Sequence, residues 1–289
     1  LPKRLTAITC LVLSLMSTIA TSTSAKTAQD AARPVYEVYA LSYGVYKDFS
    51  VSALVPGADK TRKFDLALMV WLFKGPGGRN ILVDTGFSRL KFARAEALKD
   101  FIKVSDAVAK VGLKPEEITD IIISHMHWDH AGSIDQFPKA RVWIQKDEFG
   151  YYTGAAWQQG GKSSGIDPED VLTIVKRNTD HLVTLVDGDN QEIIPGIRVY
   201  TGGRHTFASQ FASVNTRSGT VVIASDNMYL YENLDKHVPI SQTFDAESNL
   251  KAQDRMKQIA SRPELIVPGH DSQVFVRFPK PGNGIARID

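Results

Sequence analysis

A single cysteine, Cys10, occurs in the chain, and it lies in an amino-terminal stretch patterned like a secretory signal peptide. Lys3 and Arg4 open that stretch, apolar residues dominate from Leu5 to Ala20, and Thr21-Ser22-Thr23-Ser24-Ala25 supplies small residues before a cut. Cleavage is expected after Ala25. The mature chain then has no cysteine, which excludes disulfides and thiolate metal ligands. Cys10 lacks a small residue immediately before it, so lipoprotein processing is not expected. A long uninterrupted apolar run is also missing. Thr9, Ser14, Ser17 and Thr18 break the Leu5–Ala20 stretch, and no stable membrane insertion is expected once the signal is removed. Excess charge is missing as well: without Lys3 and Arg4 the 34 basic side chains fall to 32, matching the 32 acidic ones. With no basic run, nucleic acid is not an expected partner. No internal repeat or low-complexity tract is present. What remains is 43% hydrophobic and long enough for one large α/β domain over residues 35–289, after a flexible leader at 26–34. The expected location is periplasmic or secreted, and nothing in the sequence fixes an oligomeric state.

Histidine is scarce, with seven in the chain, yet three of them fall within Ser124-His125-Met126-His127-Trp128-Asp129-His130. Imidazoles and a carboxylate crowded together suit first-row divalent metal ions. The cluster begins where the apolar run Asp120-Ile121-Ile122-Ile123 ends, after a helical first turn at Pro115-Glu116-Glu117. Loops leaving strand ends are where open α/β sheets place their chemistry. His125 and His127, two apart, project to one side of an extended segment, and Asp129 and His130 fall on the turn that follows. Three further units repeat this strand-then-ligand design. His205 follows Ile197–Tyr200 and Gly202-Gly203, Asp226 follows Val221–Ala224, and His270 follows Leu265–Gly269. His181 and His237 lack that context and read as surface residues. Two helices are legible: one near Asp167–Arg177 with Pro168 at its start, and one from Asp245 to Ser261 with Asp245 as N-cap. Leu250, Met256 and Ile259 are among the apolar positions of the second. Gly160-Gly161-Lys162-Ser163-Ser164-Gly165 reads as a flexible loop.

In order and character, His125-x-His127-x-Asp129-His130, His205, Asp226 and His270 resemble the ligand set of the metallo-β-lactamase superfamily. The likeness starts near Asp65, where Leu66–Phe73 and Ile81–Val83 read as paired strands ending in Asp84-Thr85-Gly86. It implies an αβ/βα four-layer sandwich and two zinc ions per chain, with iron, manganese or cobalt as alternatives. His125, His127 and His205 would hold one ion, Asp129, His130 and His270 the other. Asp226 would bridge them, and Asp84 would brace the histidine loop from behind. Within the superfamily the chain is most similar to the N-acyl homoserine lactone lactonases. The likeness rests on Asp226-Asn227-Met228-Tyr229, Glu232-Asn233, Val238-Pro239, Gly188-Asp189 with Ile194-Pro195-Gly196-Ile197, and Ala53-Leu54-Val55-Pro56-Gly57. One departure stands out. Those enzymes carry Thr-Pro-Gly-His and then a His-Gln pair, where this chain has Gly202-Gly203-Arg204-His205 and Ser209-Gln210.

The resemblance implies a small-molecule lactone or ester substrate, opened by a hydroxide shared between two metals. Tyr229 would donate to the developing oxyanion, and Asp129 would pass a proton to the leaving alkoxide. Phe49, Trp128, Phe207 or Trp157 would accept an acyl chain. Competing readings are an organophosphate or aryl-ester hydrolase, a β-lactamase, and a non-catalytic periplasmic metal-binding module.

Overall fold

The computed structural model describes Pro2 and residues 33–289, so the signal peptide at 1–25 and leader residues 26–32 lie outside the described residues, Pro2 aside. The first seven strands build one sheet: β1 (Glu37–Ser50), β2 (Lys63–Lys74), β3 (Asn80–Val83), β4 (Leu98–Lys99), β5 (Asp120–Ile122), β6 (Arg141–Gln145) and β7 (Val183–Val186). The next five build a second: β8 (Gln191–Ile194), β9 (Ile197–Thr201), β10 (Gln210–Thr216), β11 (Gly219–Ser225) and β12 (Ile266–Pro268). The last, β13 (Ile285–Arg287), returns to the first sheet beside β1. The orders are β13-β1-β2-β3-β5-β6-β7, with β4 also paired to β1, and β12-β11-β10-β9-β8.

The two-residue period of a strand explains the layers. In β2, Leu66, Leu68, Val70 and Leu72 face one core, while Ala67, Met69, Trp71 and Phe73 face another. The second core is shared with Val221 and Ile223 of β11 and Ile197 and Val199 of β9, so it fills the space between the sheets. The first core lies under α1 (Val104–Ala109), α2 (Trp128–Ala131), α3 (Lys146–Tyr152) and α4 (Pro168–Thr179). On the far side of the second sheet, Val222 and Ala224 pack with Ala252 and Met256 of α6 (Ala246–Ile259), which follows α5 (Tyr231–Asp235). A last short helix, α7 (Val274–Arg277), precedes β13. Helices on sheet on sheet on helix make the expected αβ/βα sandwich.

The helix ends follow the sequence. Asp167 accepts from Glu169 N–H at 2.9 Å and Asp245 from Ser248 N–H at 3.0 Å, so both cap as N-cap carboxylates do. Pro115–Glu117 stops after a single 3₁₀ turn. The buried face of α6 is more polar than its apolar spacing implies, because Asn249 and Gln253 donate to the carbonyls of Asn227 and Val238. No helix among the described residues is long and apolar enough to cross a membrane.

Candidate metal centre and substrate cavity

Strands β3, β5 and β6 run parallel, as do β11 and β12. The carboxyl ends of β3, β5, β11 and β12 therefore deliver Asp84, His125–His130, Asp226 and His270 to one place, and the β9–β10 loop adds His205. All seven expected ligands meet there, in two groups: His125, His127, His205 and Asp226, and Asp129, His130 and His270. His181 and His237 are exposed and lie outside both.

Four of the five imidazoles are aimed by the nitrogen they do not present. His125 Nδ1 lies 2.9 Å from Ser124 Oγ, and His130 Nδ1 lies 2.9 Å from Asp84 Oδ2. His205 Nδ1 contacts Gln242 O at 2.7 Å, and His270 Nδ1 contacts Ala67 O at 2.9 Å. With Nδ1 donating in each case, the Nε2 lone pair is left facing inward. His127 is the exception and presents Nδ1, 3.1 Å from His125 Nε2 and 2.8 Å from His205 Nε2. Its ring is held by the loop read as flexible. Gly165 has φ +76°, a Cβ there would come 2.9 Å from His127 Cδ2, and its carbonyl accepts from Trp128 N–H.

Asp226 stands between the groups. Its Oδ1 is 3.0 Å from His270 Nε2, and its Oδ2 is 3.3 Å from His130 Nε2, 3.5 Å from His205 Nε2 and 3.9 Å from His125 Nε2. These approaches are close but not aligned as hydrogen bonds: Asp226 Oδ1 and His130 Nε2 are buried without a hydrogen-bond partner. A buried carboxylate oxygen and imidazole nitrogen left without hydrogen-bond partners fit divalent cations held there.

The electrostatics agree. Burial, aided by the neighbouring imidazoles, holds His125 and His127 well below the ordinary histidine range, and burial lowers His205 too. These are neutral imidazoles, the form that ligates. At His130 burial is outweighed by Asp226, Asp129 and Asp84, and its pKa is raised well above the usual value. His270 is raised as well, burial again being outweighed by Asp226. Asp226 is held well below the carboxylate range, because His270 and His130 overcome its burial. These carboxylates favour positive charge between them, which a dication would supply.

Behind the ligands, Asp84 at φ +62° accepts from Ser124 N–H and Ser124 Oγ, each at 2.7 Å, and from Ser225 Oγ at 2.9 Å. Thr85 N–H and Oγ1 both donate to His130 O. Glu148, which no sequence pattern marks, is a buried carboxylate on α3 that accepts from Met126 N–H at 2.9 Å, Thr206 Oγ1 at 2.7 Å and Ala208 N–H at 2.7 Å. Burial pushes its pKa up to about 7, against those three donors. In the sequence it is one more acid in the first turn of a helix. Ser209, at the position where the lactonases carry a histidine, is buried and donates to Asn227 Oδ1 at 3.0 Å. Gln210 Nε2 donates to Ile123 O at 2.8 Å, tying the second sheet to the histidine loop.

A cavity of about 230 Å³ opens onto the ligands. Phe49, Leu54, Leu66, Leu68 and Trp128 form its apolar side, and His127, Asp129, Asp226, Tyr229 and His270 its polar side. Of the four aromatic residues expected near an acyl chain, Phe49 and Trp128 line this cavity. Phe207 instead stacks on Tyr151 at 4.0 Å, and Trp157 donates to Tyr152 O at 2.6 Å. The Tyr229 phenol is buried, and its pKa is raised well above 10 by burial and by Asp226 and Asp129. It stays protonated. Its Oη lies 3.3 Å from His205 Nδ1, whose proton is already given to Gln242 O, so the phenol proton remains free for a ligand in the cavity.

A twin-sheet sandwich with this histidine–aspartate centre defines a class of metal-dependent hydrolases. The model of the metallo-β-lactamase superfamily matches residues 66–270, and the chain belongs to that superfamily. An N-acyl homoserine lactonase of Bacillus cereus is 30% identical over 227 residues, 71% of this chain and 82% of the relative. The N-acyl homoserine lactonase AiiA of Bacillus thuringiensis subsp. kurstaki is 28% identical over 237 residues, 76% of this chain and 86% of its own. The crystal structure of a quorum-quenching N-acyl homoserine lactone lactonase superposes with a TM-score of 0.66 at 24% identity, covering 83% of this chain and 93% of that one.

Proposed function

We propose that this chain is a dinuclear zinc hydrolase that opens the ring of N-acyl homoserine lactones. The observation that carries the reading is the single carboxylate of Asp226 facing both groups of ligands. His125, His127 and His205 would hold one ion, Asp129, His130 and His270 the other, with Asp226 common to both. Bound there, two dications supply a water of lowered pKa and positive charge for the substrate's oxygen atoms. The rest of the work belongs to the chain. The apolar wall of Phe49, Leu54, Leu66, Leu68 and Trp128 holds an acyl chain and keeps water from it. Tyr229 Oη donates to the carbonyl oxygen as it gains charge, an interaction stronger in the transition state than in the bound substrate. Asp129 lines the cavity and is the most accessible carboxylate of the set, at 18% side-chain exposure. It is the group placed to pass a proton to the departing alkoxide. The residue patterning of 1–25 supports export, so the same proposal places the mature enzyme outside the cytoplasm.

The names of the curated relatives support the lactone over other electrophiles, and the free phenol proton supports catalysis over metal storage. The test is a panel: an N-acyl homoserine lactone, an aryl ester, a phosphotriester and a β-lactam, each assayed with the zinc-loaded protein. The lactone should give the highest kcat/KM. A phosphotriester or β-lactam turned over faster than every lactone would overturn the substrate assignment, and turnover of none of the four would overturn the enzyme.

A further inference from the structure

The candidate first metal site takes ligands from two loops, His125 and His127 after β5 and His205 between β9 and β10. Something must hold those loops in register, because an ion bound by three imidazoles tolerates displacements of only a few tenths of an ångström. Among the described residues, Glu148 is the side chain whose carboxyl group bonds to both loops. Its Oε1 accepts from Met126 N–H, the residue between the two histidines, and from Thr206 Oγ1, the residue after His205. Its Oε2 accepts from Ala208 N–H in that second loop. All three partners are donors, so only a group accepting through both oxygens satisfies them together. Glu148 is fully buried, its three hydrogen-bond partners are none of the candidate ligands, and it does not line the substrate cavity. The second site lacks this device and relies on Asp84 behind His130 and on Ala67 O behind His270.

We infer that Glu148 is a positioning residue for the first metal site alone, joining the His125–His127 loop to the His205 loop so that their three imidazoles converge. The inference rests on the dinuclear reading above. Glu148→Gln preserves volume but turns one acceptor into a donor facing a donor, which breaks the tie on one side.

The experiment begins with the zinc-loaded protein, dialysed against graded concentrations of a chelator, with zinc per chain read by elemental analysis. In Glu148→Gln one ion should leave at a chelator concentration about 10–100-fold lower than in the wild type, and the other at the wild-type concentration. Thr206→Val, which removes one donor, should move the same ion by less. Asp84→Asn should move the other ion and, through Ser124 and His125, the first as well, so the double variant Glu148→Gln/Asp84→Asn should shift both. Release curves unchanged from the wild type would overturn the inference. So would an equal shift of both ions in Glu148→Gln, the mark of a general brace for the fold, or a double variant in which one ion stays unshifted. A wild-type protein that never holds two ions sinks the dinuclear reading instead, and that result is visible before any variant is made.

Discussion

Asp84 Oδ2 and His130 Nδ1 lie 2.9 Å apart, both buried, and join the end of β3 to helix α2, which follows its parallel neighbour β5. The contact fixes the tautomer of His130, so its Nε2 enters the centre as a lone pair. Asp84→Asn is the informative change, because asparagine tolerates the φ of +62° and leaves the backbone unstrained. It should weaken the second metal site by about 10-fold or more with the fold intact. Metal retention against a chelator, with circular dichroism as the control, measures both.

Asp226→Ala removes the one carboxylate that faces four of the histidines. The imidazoles alone leave two dications about 3.5–4 Å apart without an anion between them, so turnover should vanish and at least one ion should be lost. His181→Ala, at an exposed turn, should change neither zinc content nor kcat/KM.

Tyr229→Phe removes one donor and keeps the ring. Lactone kcat should fall about 10-fold, less than the loss from a sole oxyanion donor because the metal charges share the load. Zinc content and Tm should hold. An unchanged kcat would make the phenol a packing group, and a rise in KM alone would make it a binding group.

Glu148 carries a pH signature. Its pKa is raised from 4.5 in the unfolded chain to about 7 in the fold, so the native state prefers the protonated acid. That contribution to stability is complete below pH 4.5 and is lost as pH rises through 7. Wild-type stability minus that of Glu148→Gln, both stripped of metal, should therefore fall by about 3 kcal/mol between pH 4 and pH 8. Urea unfolding across that range reads it, and a flat difference would show that Glu148 is ionised throughout.

The arrangement of the centre was legible because each ligand sits just after an apolar run, and parallel strands bring such positions to one edge. His125, His205, Asp226 and His270 could be placed on that pattern alone. The continuous apolar runs of β2 and β11, legible in the sequence as strands, are buried on both faces in the fold. What could not be read depended on approach between distant segments. Glu148 has the sequence context of an exposed helix-start acid, and only the fold turns it toward Met126 and Ala208. Phe207 and Phe49 are both expected beside an acyl chain, yet Phe49 lines the cavity while Phe207 stacks on Tyr151 outside it. The positive φ of Arg204 and Ser225, each just before a candidate ligand, has no signal in residues that are not glycine.

Zinc titration of the metal-stripped protein tests the central claim most directly, with hydrolysis of an N-acyl homoserine lactone recorded at each addition. Activity should be absent at the start, rise with added zinc and level off at two equivalents per chain. A plateau at one equivalent, or turnover by the stripped protein, would contradict a dinuclear centre built around Asp226.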